Sequence, residues 1–571
     1  MIKVKEGEQL AHKNEISKNN NTKRLVGTII VIIILFSALY VLVPRPMTLG
    51  PPPMPPPPLS GFQDPTLPDI TSEDWIINTT VILENKSQPI NKNIFVMPNG
   101  SLIIKNSQFF MEAEVYTGRC IVVYPGGNLT ITDSTFTSYD LEINYFIYVD
   151  TGATLLIQNS NISWASELFI KGSNIIIKNS NFRKGHNSIV LKNVKNAVIE
   201  NNTFSNYSLA EVGVISSNNI TVDNNSFDNC FYGVHVENSR NVDLRNNRAT
   251  QTQLGIDIQN SINCTVEGNQ LNHTGLTLFG ENYTTLNLNI HNNTVNGLPL
   301  VFLFDQENVA ISSQKFGQII VALSKHVELK NISISNTSIA IFLLQTSNIN
   351  ITECNLRQNF DAALLINCEH IFVSKNFFKS SKTIVPFALG GNTIDSSGIN
   401  ILNGRNITIS NNDLLESSIG VALSTCSHIS IEKNYFNSNR WKSVSLENCS
   451  NIVMSDNIIE NSEKGAFVYE CSNITFSGNL VKNNFKGITF ERSKIIEIDN
   501  NTIVGNRYGI YISACEDSSI TITNGNKFRE NEYDFYSVDV GYKIPVIAFI
   551  YVLGAFFIVF IASFYVFKQK S

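Results

Sequence analysis

The sequence predicts an all-β chain, a single right-handed parallel β-helix (a β-solenoid of about 19 coils) flanked by two transmembrane α-helices. Three observations carry this prediction. A strand-and-turn pattern returns every 20 to 24 residues through most of the interval 105–536. The apolar residues inside each repeat alternate with period two, as in strands. Two long uncharged apolar runs lie at the two ends of the chain.

The repeat is clearest in NITVDNNSF (219–227), NITISNNDL (406–414), HISIEKNYF (428–436), NIVMSDNII (451–459) and NITFSGNLV (473–481). Each has an alternating apolar strand, a short polar turn containing one Asn, and another apolar residue. That Asn defines a slot, occupied by Ser107, Ser134, Ser160 and Ser180, then mostly by Asn from Asn202 to Asn526. There are 19 slots, with Gln314, Ile332 and Cys354 as the exceptions in the middle. A second strand follows each slot, as in GVHV (233–236), GIDI (255–258), GITF (487–490) and GIYI (509–512). Several short strands in each constant period, without helical spacing, describe a solenoid. Stacked coils are about 4.8 Å apart, so equivalent positions form columns. The slot column is then expected to be an Asn ladder, each buried amide donating to the next. Ile332 and Cys354 interrupt the ladder, which predicts local irregularity in the middle of the rod.

The remaining segments follow in order. Residues 1–24 are a Lys/Arg-rich tail with Lys3, Lys5, Lys13, Lys18, Lys23 and Arg24, and residues 25–43 form an uncharged run of 19 residues. That is close to the ~20 a spanning helix needs. Residues 44–68 hold 11 of the 17 prolines and form an extended linker. The segment 69–104 is read as an N-terminal cap and first coil, 105–536 as the β-helix, and 537–543 as a short linker. The run 544–567 is the second span, and 568–571 carries Lys568 and Lys570. Positive flanks remain in the cytoplasm. Both termini are therefore expected inside the cell membrane, with the β-helix outside. A net charge of −6 with 16% charged residues argues against nucleic-acid partners. An outside location would make some of the 20 sequons in this region available for glycosylation, for example Asn78, Asn128, Asn219, Asn263, Asn350 and Asn473.

The IxIxxNxF coil and its following G-I-x-I strand resemble the repeats of NosD-type copper-accessory proteins and of pectin-degrading enzymes. The opening W-I-x-x-T-x-V-I-x-x-N-K, followed by P-N-G-S-L-x-I, is similar to the entry of archaeal cell-surface β-helix proteins. The resemblance covers about 460 residues and implies the fold. It does not fix an activity, because one fold hosts many functions.

Catalytic and metal chemistry were weighed on their residues. NTIDSSGINI (392–401) resembles the polygalacturonase N-T-D-G-I-D-I stretch, with Asp395 as the nearest carboxylate. The implied G-D-D partner is replaced by Glu416-Ser417-Ser418-Ile419, and the only Gly-His is Gly185-His186, many coils away. Hydrolysis needs paired carboxylates, so no catalytic residues are assigned and a non-enzymatic role is preferred. His235 and Asp257 occupy one column on neighbouring coils, interrupted by Thr277. His326, His370 and His428 share another column on alternate coils, about 9.6 Å apart. One metal ion with bonds of ~2 Å cannot bridge them, so they are read as replacements of a turn Asn, and no cofactor is expected. Cys426, Cys449 and Cys471 form a column read as buried free thiols.

One candidate binding strip emerges just before the second strands. Successive coils present Trp441-Lys442, Glu463-Lys464, Phe485-Lys486 and Arg507-Tyr508, with Phe360 and Phe231-Tyr232 in equivalent places upstream. Aromatic rings interleaved with cations suit an extended, acidic sugar chain. The expected role is a surface rod that binds glycans or organises the cell surface. The alternatives are an atypical polysaccharide lyase or hydrolase and a NosD-like accessory protein.

Overall fold

The computed structural model describes residues 64–538, apart from 113–118, 139–144, 186–187, 207–209, 381–395, 516–519 and 524. The apolar runs 25–43 and 544–567, the linker from 44 to 63, Asp395 and His186 lie outside the described residues. No helix among the described residues is long and apolar enough to cross a membrane.

The described chain is an all-β parallel solenoid. A coil has three strands, as in Tyr232–Glu237, Arg240–Arg245 and Arg248–Thr250, and each pairs in parallel with its counterpart one coil on. The second strands form two 10-stranded sheets, one in each half of the chain, and the third strands of the second half form a 9-stranded sheet. We call the first strand of a coil its lead strand. The segment 69–104 already contains one complete coil (Trp75–Ile77, Thr80–Glu84, Ser87–Ile90) and part of the next.

Sequence alternation decides what fills the bore. In Lys464–Tyr469, Ala466 and Val468 point inward and are fully buried, whereas Phe467 lies on the outer face. Third strands contribute one inward residue each, giving the stacked column Phe182, Phe204 and Phe227 with ring centroids 5.0 and 5.1 Å apart. Burial of a Phe side chain contributes about 1.5–3 kcal/mol, and the column repeats that gain coil after coil.

The turns are equally regular. In most coils from Asn174 onward the residue before the second strand's alternating part sits at positive φ, including Asn219, Asn241, His326, Asn348, His370, Asn406, His428, Asn451 and Asn473. Asn and His tolerate this left-handed region better than most residues. That is why the three histidines alternate with asparagines. Among the described residues, no group of three or more His, Cys, Asp or Glu is placed to hold a metal ion.

The slot column is a ladder. Asn202 Nδ2 donates to Asn225 Oδ1 at 3.0 Å, and the pattern continues through Asn247, Asn269 and Asn293. It runs again from Asn376 through Asn412, Asn434, Asn457, Asn479 and Asn501 to Asn526. Each Oδ1 also accepts the backbone N–H of the previous slot, as Asn457 Oδ1 does from Asn434 at 3.0 Å. At the early slots a Ser hydroxyl performs this second task, Ser160 Oγ accepting from Ser134 N at 3.2 Å.

Stacking is interrupted where the slots are irregular. The chain reverses at Asn296 and Gly297, both at positive φ, and Leu298–Phe304 pairs antiparallel with Thr294–Val295. Leu298–Phe304 then starts a new series of lead strands instead of continuing the old one. The outer face of that new series (Ile320, Ala322, Phe342, Leu344) joins the apolar core of the first half. Gln318 seals the junction: its Oε1 accepts Leu276 N–H and its Nε2 donates to Leu276 O, both at 2.9 Å. The amide thus supplies the two bonds a neighbouring strand would have made. Gln314 is exposed and takes no part in the ladder. Ile332 is buried, and Cys354 N resumes the ladder by donating to Asn376 Oδ1 at 2.8 Å.

Candidate functional site

The outer face of the lead sheet in the second half carries the strip. Strand pairing places Lys442, Lys464, Lys486, Tyr508 and Tyr533 in one column. The next outward column is Ser445, Phe467, Thr489, Tyr511 and Tyr536. A third holds Glu447, Tyr469 and Glu491. Trp441 and Phe485 stand in the turn just before their lead strands and are exposed.

The lysines lie down on the aromatic column. Lys442 and Lys464 Nζ are both 4.2 Å from the centroid of Phe467, and Lys486 Nζ is 3.4 Å from that of Tyr511. Arg507 lies over Phe485 at 5.2 Å and Tyr508 at 5.5 Å, and Arg440 over Trp441 at 4.8 Å. Such contacts contribute about 0.5–2 kcal/mol each. Two of these cations are also paired: Lys442 with Glu447 at 3.4 Å and Arg507 with Glu532 at 3.2 Å. Lys464 and Lys486 have no carboxylate within ion-pair distance among the described residues. Burial holds the Lys464 ammonium below its ordinary range; Glu491 opposes this, and the flanking Lys442 and Lys486 add to it. Burial does the same at Lys486, against Glu491 and Glu463. A bound anion would relieve both.

Sequence reading found the lysine column and the turn aromatics. It missed Phe467 and Tyr511, the rings on which the lysines rest, and Tyr536, which stacks on Tyr511. The signal was present, since the outward residue of G-A-F-V and G-I-Y-I follows from period two.

The upstream members sit elsewhere. Phe231 and Tyr232 belong to the first half, where they are buried with Phe95, Tyr148 and Phe169 on the lead sheet, so neither offers a free ring face. Phe360 is half-buried in the column of Trp441, separated from it by the coils of Ser396 and Ser418. The continuous strip therefore runs from Trp441 to Tyr508.

The column of His235 and Asp257 is closed over. Asp257 receives His235 Nδ1 at 2.8 Å, Gln259 Nε2 at 2.9 Å and Thr277 Oγ1 at 2.5 Å, and all four residues are buried. Its hydroxyl, amide and imidazole partners allow Asp257 to be enclosed. Burial alone would lower the His235 pKa, but Asp257 and Glu237 outweigh it and raise it. The cluster acts as a buried hydrogen-bonded staple.

The nine cysteines are buried. Cys426, Cys449 and Cys471 are rungs of a second ladder between the first and second strands of each coil. Gly404 N donates to Cys426 Sγ, Cys426 N to Cys449 Sγ, and Cys449 N to Cys471 Sγ, at 3.3, 3.4 and 3.3 Å. Cys471 N continues to Ser493 Oγ at 3.0 Å, and Ser217, Ser239 and Ser261 fill the same column in the first half. Burial raises the thiol pKa values of Cys264 and Cys354 to about 11 and that of Cys120 to about 12.

Of the sequon asparagines, Asn78 and Asn350 are exposed. Asn219, Asn263 and Asn473 are exposed but donate Nδ2 to an Asn one coil back: Asn196, Asn241 and Asn451. Asn128 is half-buried, its amide donating to Ser101 Oγ at 3.1 Å and accepting from Thr154.

Two family models match the chain. The family described as periplasmic copper-binding protein (NosD) matches residues 297–443 and 388–546. The family described as right handed beta helix region matches 166–316. No curated protein matches the chain. Among solved structures, the chain is similar to the A-module of a mannuronan C-5 epimerase from Azotobacter vinelandii. The identity is 11% and the TM-score 0.24, over 66% of this chain and 90% of that one. It is also similar to a periplasmic alginate epimerase, at 9% identity and TM-score 0.21, over 79% and 78%. A tailspike protein of an E. coli bacteriophage, in complex with a pentasaccharide, matches at 11% and 0.22, over 78% and 74%. The chain thus has the right-handed parallel β-helix fold, and from residue 166 to 546 it matches the NosD and right handed beta helix families.

Proposed function

We propose that this protein is a membrane-anchored extracellular β-helix whose second half binds an acidic glycan along the face from Trp441 to Tyr508. One observation carries the proposal. Lys464 and Lys486 are held on aromatic rings one coil apart, partly dehydrated, with no carboxylate in ion-pair range among the described residues. Like charges so close repel, and a polyanion running along the solenoid axis would neutralise both. The rings of Trp441, Phe485 and Tyr508 offer apolar faces to sugar rings on the same line. Anchoring follows from the apolar runs 25–43 and 544–567 and their basic flanks, which put both termini in the cytoplasm.

The role is binding without turnover. The test is calorimetric titration of the full chain, in detergent or nanodiscs, with an oligouronate and with a neutral glucan, alongside assay of the oligouronate for chain cleavage. Binding of the acidic chain alone, without cleavage, is expected. Equal affinity for both sugars would remove the role given to the lysines, and cleavage would remove the non-enzymatic reading.

A further inference from the structure

The two ends of the solenoid are finished differently. At the first coil, Ile77 and Ile90 are only 1% and 5% exposed. Leu67 packs nearby on the outer lead face, and Asp74 is tied to Asn93 at 3.1 Å. At the last coil, the inward columns end in the open. Phe535 continues the column of Ile510, and Phe528 that of Ile503. Both isoleucines are fully buried, whereas Phe535 is 49% exposed one step later. Ile520 and Ile522 end the columns of Ile496 and Ile498 only partly covered, as Val81 and Leu83 do at the first coil, so the difference between the ends lies in the exposed Phe535. Around this apolar end stands a tyrosine rim. Tyr533 stacks on Tyr508 at 5.3 Å and Tyr536 on Tyr511 at 5.5 Å, and both are exposed. An open solenoid end exposes core and strand edge together and needs a cover.

We propose that the lipid–water interface of the bilayer is that cover, so that the last coil is seated in the headgroup layer; this rests on the anchoring reading above. Sequence distance supports the occupant. The uncharged run 544–567 begins six residues after Val538. At ~3.3–3.6 Å per residue, six residues span about 20 Å at full stretch, so this end cannot lie far from the start of that run. Tyrosine is enriched at membrane interfaces because its ring is apolar and its hydroxyl polar. Depth is bounded too. Among the described residues the strand Tyr533–Val538 has no neighbour on its outer side, and unpaired backbone groups do not enter hydrocarbon. The end therefore stays among hydrated headgroups. Lys527 and Arg529 share the coil with Glu530, Glu532 and Asp534, a mixed set that suits zwitterionic lipid.

The test uses the full chain in phosphatidylcholine nanodiscs, with a spin label on Ser537→Cys, Asn99→Cys or Tyr551→Cys. The native thiols are buried and leave the introduced one to react. Collision with oxygen and with a water-soluble nickel chelate reports depth. The expected order is Tyr551→Cys in hydrocarbon, Ser537→Cys shielded at the interface, and Asn99→Cys in water. Adding Phe535→Glu should expose the Ser537→Cys label and leave the Tyr551→Cys label where it was. A Ser537→Cys label as accessible to nickel as Asn99→Cys, with Tyr551→Cys in lipid, overturns the seating alone. Dipolar coupling between Ser537→Cys labels of two copies overturns it in favour of end-to-end pairing. A Tyr551→Cys label in water overturns both the seating and the anchoring.

Discussion

Replacing Asn457 separates hydrogen bonding from packing, because the slot makes the two disagree. Asn457 is fully buried. Its Nδ2 donates to Ile431 O at 2.8 Å and Asn479 Oδ1 at 2.9 Å, and its Oδ1 accepts from Asn434 N at 3.0 Å and Asn434 Nδ2 at 3.1 Å. Leucine is near Asn in size, so a packing account ranks Asn457→Leu as mild. In the ladder it orphans the Asn434 backbone N–H outright. It also leaves Asn434 Nδ2 with only Ile409 O, at 2.9 Å. A buried donor without a partner costs about 1–3 kcal/mol, so one full and one partial loss predict about 2–4 kcal/mol. Asn457→Ser leaves a void but restores an acceptor, as Ser160 does for Ser134, and should cost less than Asn457→Leu. Urea unfolding of the three proteins at one pH, with m-values compared, measures the order. If Asn457→Ser is the more destabilised, packing governs the slot and the ladder reasoning is wrong.

Further expectations concern the buried titratable groups. Asp361 is buried, accepts Ser397 N at 2.9 Å, and has its pKa pushed up to about 7 by burial. A carboxyl that titrates higher folded than unfolded favours folding when protonated. Its contribution is full below about 3.8 and falls as pH rises through about 7, by about 4 kcal/mol at most. Asp361→Asn should flatten the loss of stability between pH 5 and 8, as seen in melting temperatures; an unchanged slope would contradict the burial argument. His235 has its pKa raised, so its contribution is present below about 6.5 and is lost as pH climbs through the folded value. His235→Gln should remove that component, and a pH profile identical to the parent would refute the staple. Cys449→Ser keeps a rung of the kind seen at Ser493 and should cost under about 1 kcal/mol. The native protein should also resist thiol reagents until unfolded, and rapid labelling of the folded chain would argue against the buried column.

The coil was legible because one period governs every part of it. The slot Asn, the left-handed turn residue and the inward apolar pair recur together, so phase errors cannot accumulate. The irregular slots at Ile332 and Cys354 also announced a disturbance, but its form was hidden. The reversal at Asn296-Gly297 and the seal made by Gln318 depend on contacts between coils 42 residues apart in sequence, which no local pattern encodes. In the strip, the lysine column was visible as repeated Lys-Gly or Lys-Ser pairs, yet the rings beneath it required tracking which side of the strand each residue takes. Phe231 and Tyr232 repeat the same sequence signature and are nonetheless buried, because exposure is decided by what covers a face. The interval holding Asp395 and both apolar runs lies outside the described residues, so their readings rest on sequence alone.

The proposed role is tested most directly by the affinity of the full chain for an oligouronate as the strip is altered. Trp441→Ala removes a ring, and Lys464→Ala or Lys486→Ala removes an unpaired cation; none of the three touches the bore or a ladder. Each should weaken binding about tenfold, with the lysine effects shrinking as salt rises from 50 to 500 mM, roughly the range over which screening shortens from about 14 to 4 Å. Lys379→Ala, which removes a cation outside the strip that is paired with Glu416 at 3.0 Å, should leave affinity unchanged. Parent-like affinity in all three strip variants, or a loss in Lys379→Ala as large as in Lys464→Ala, would show that this face does not hold the glycan.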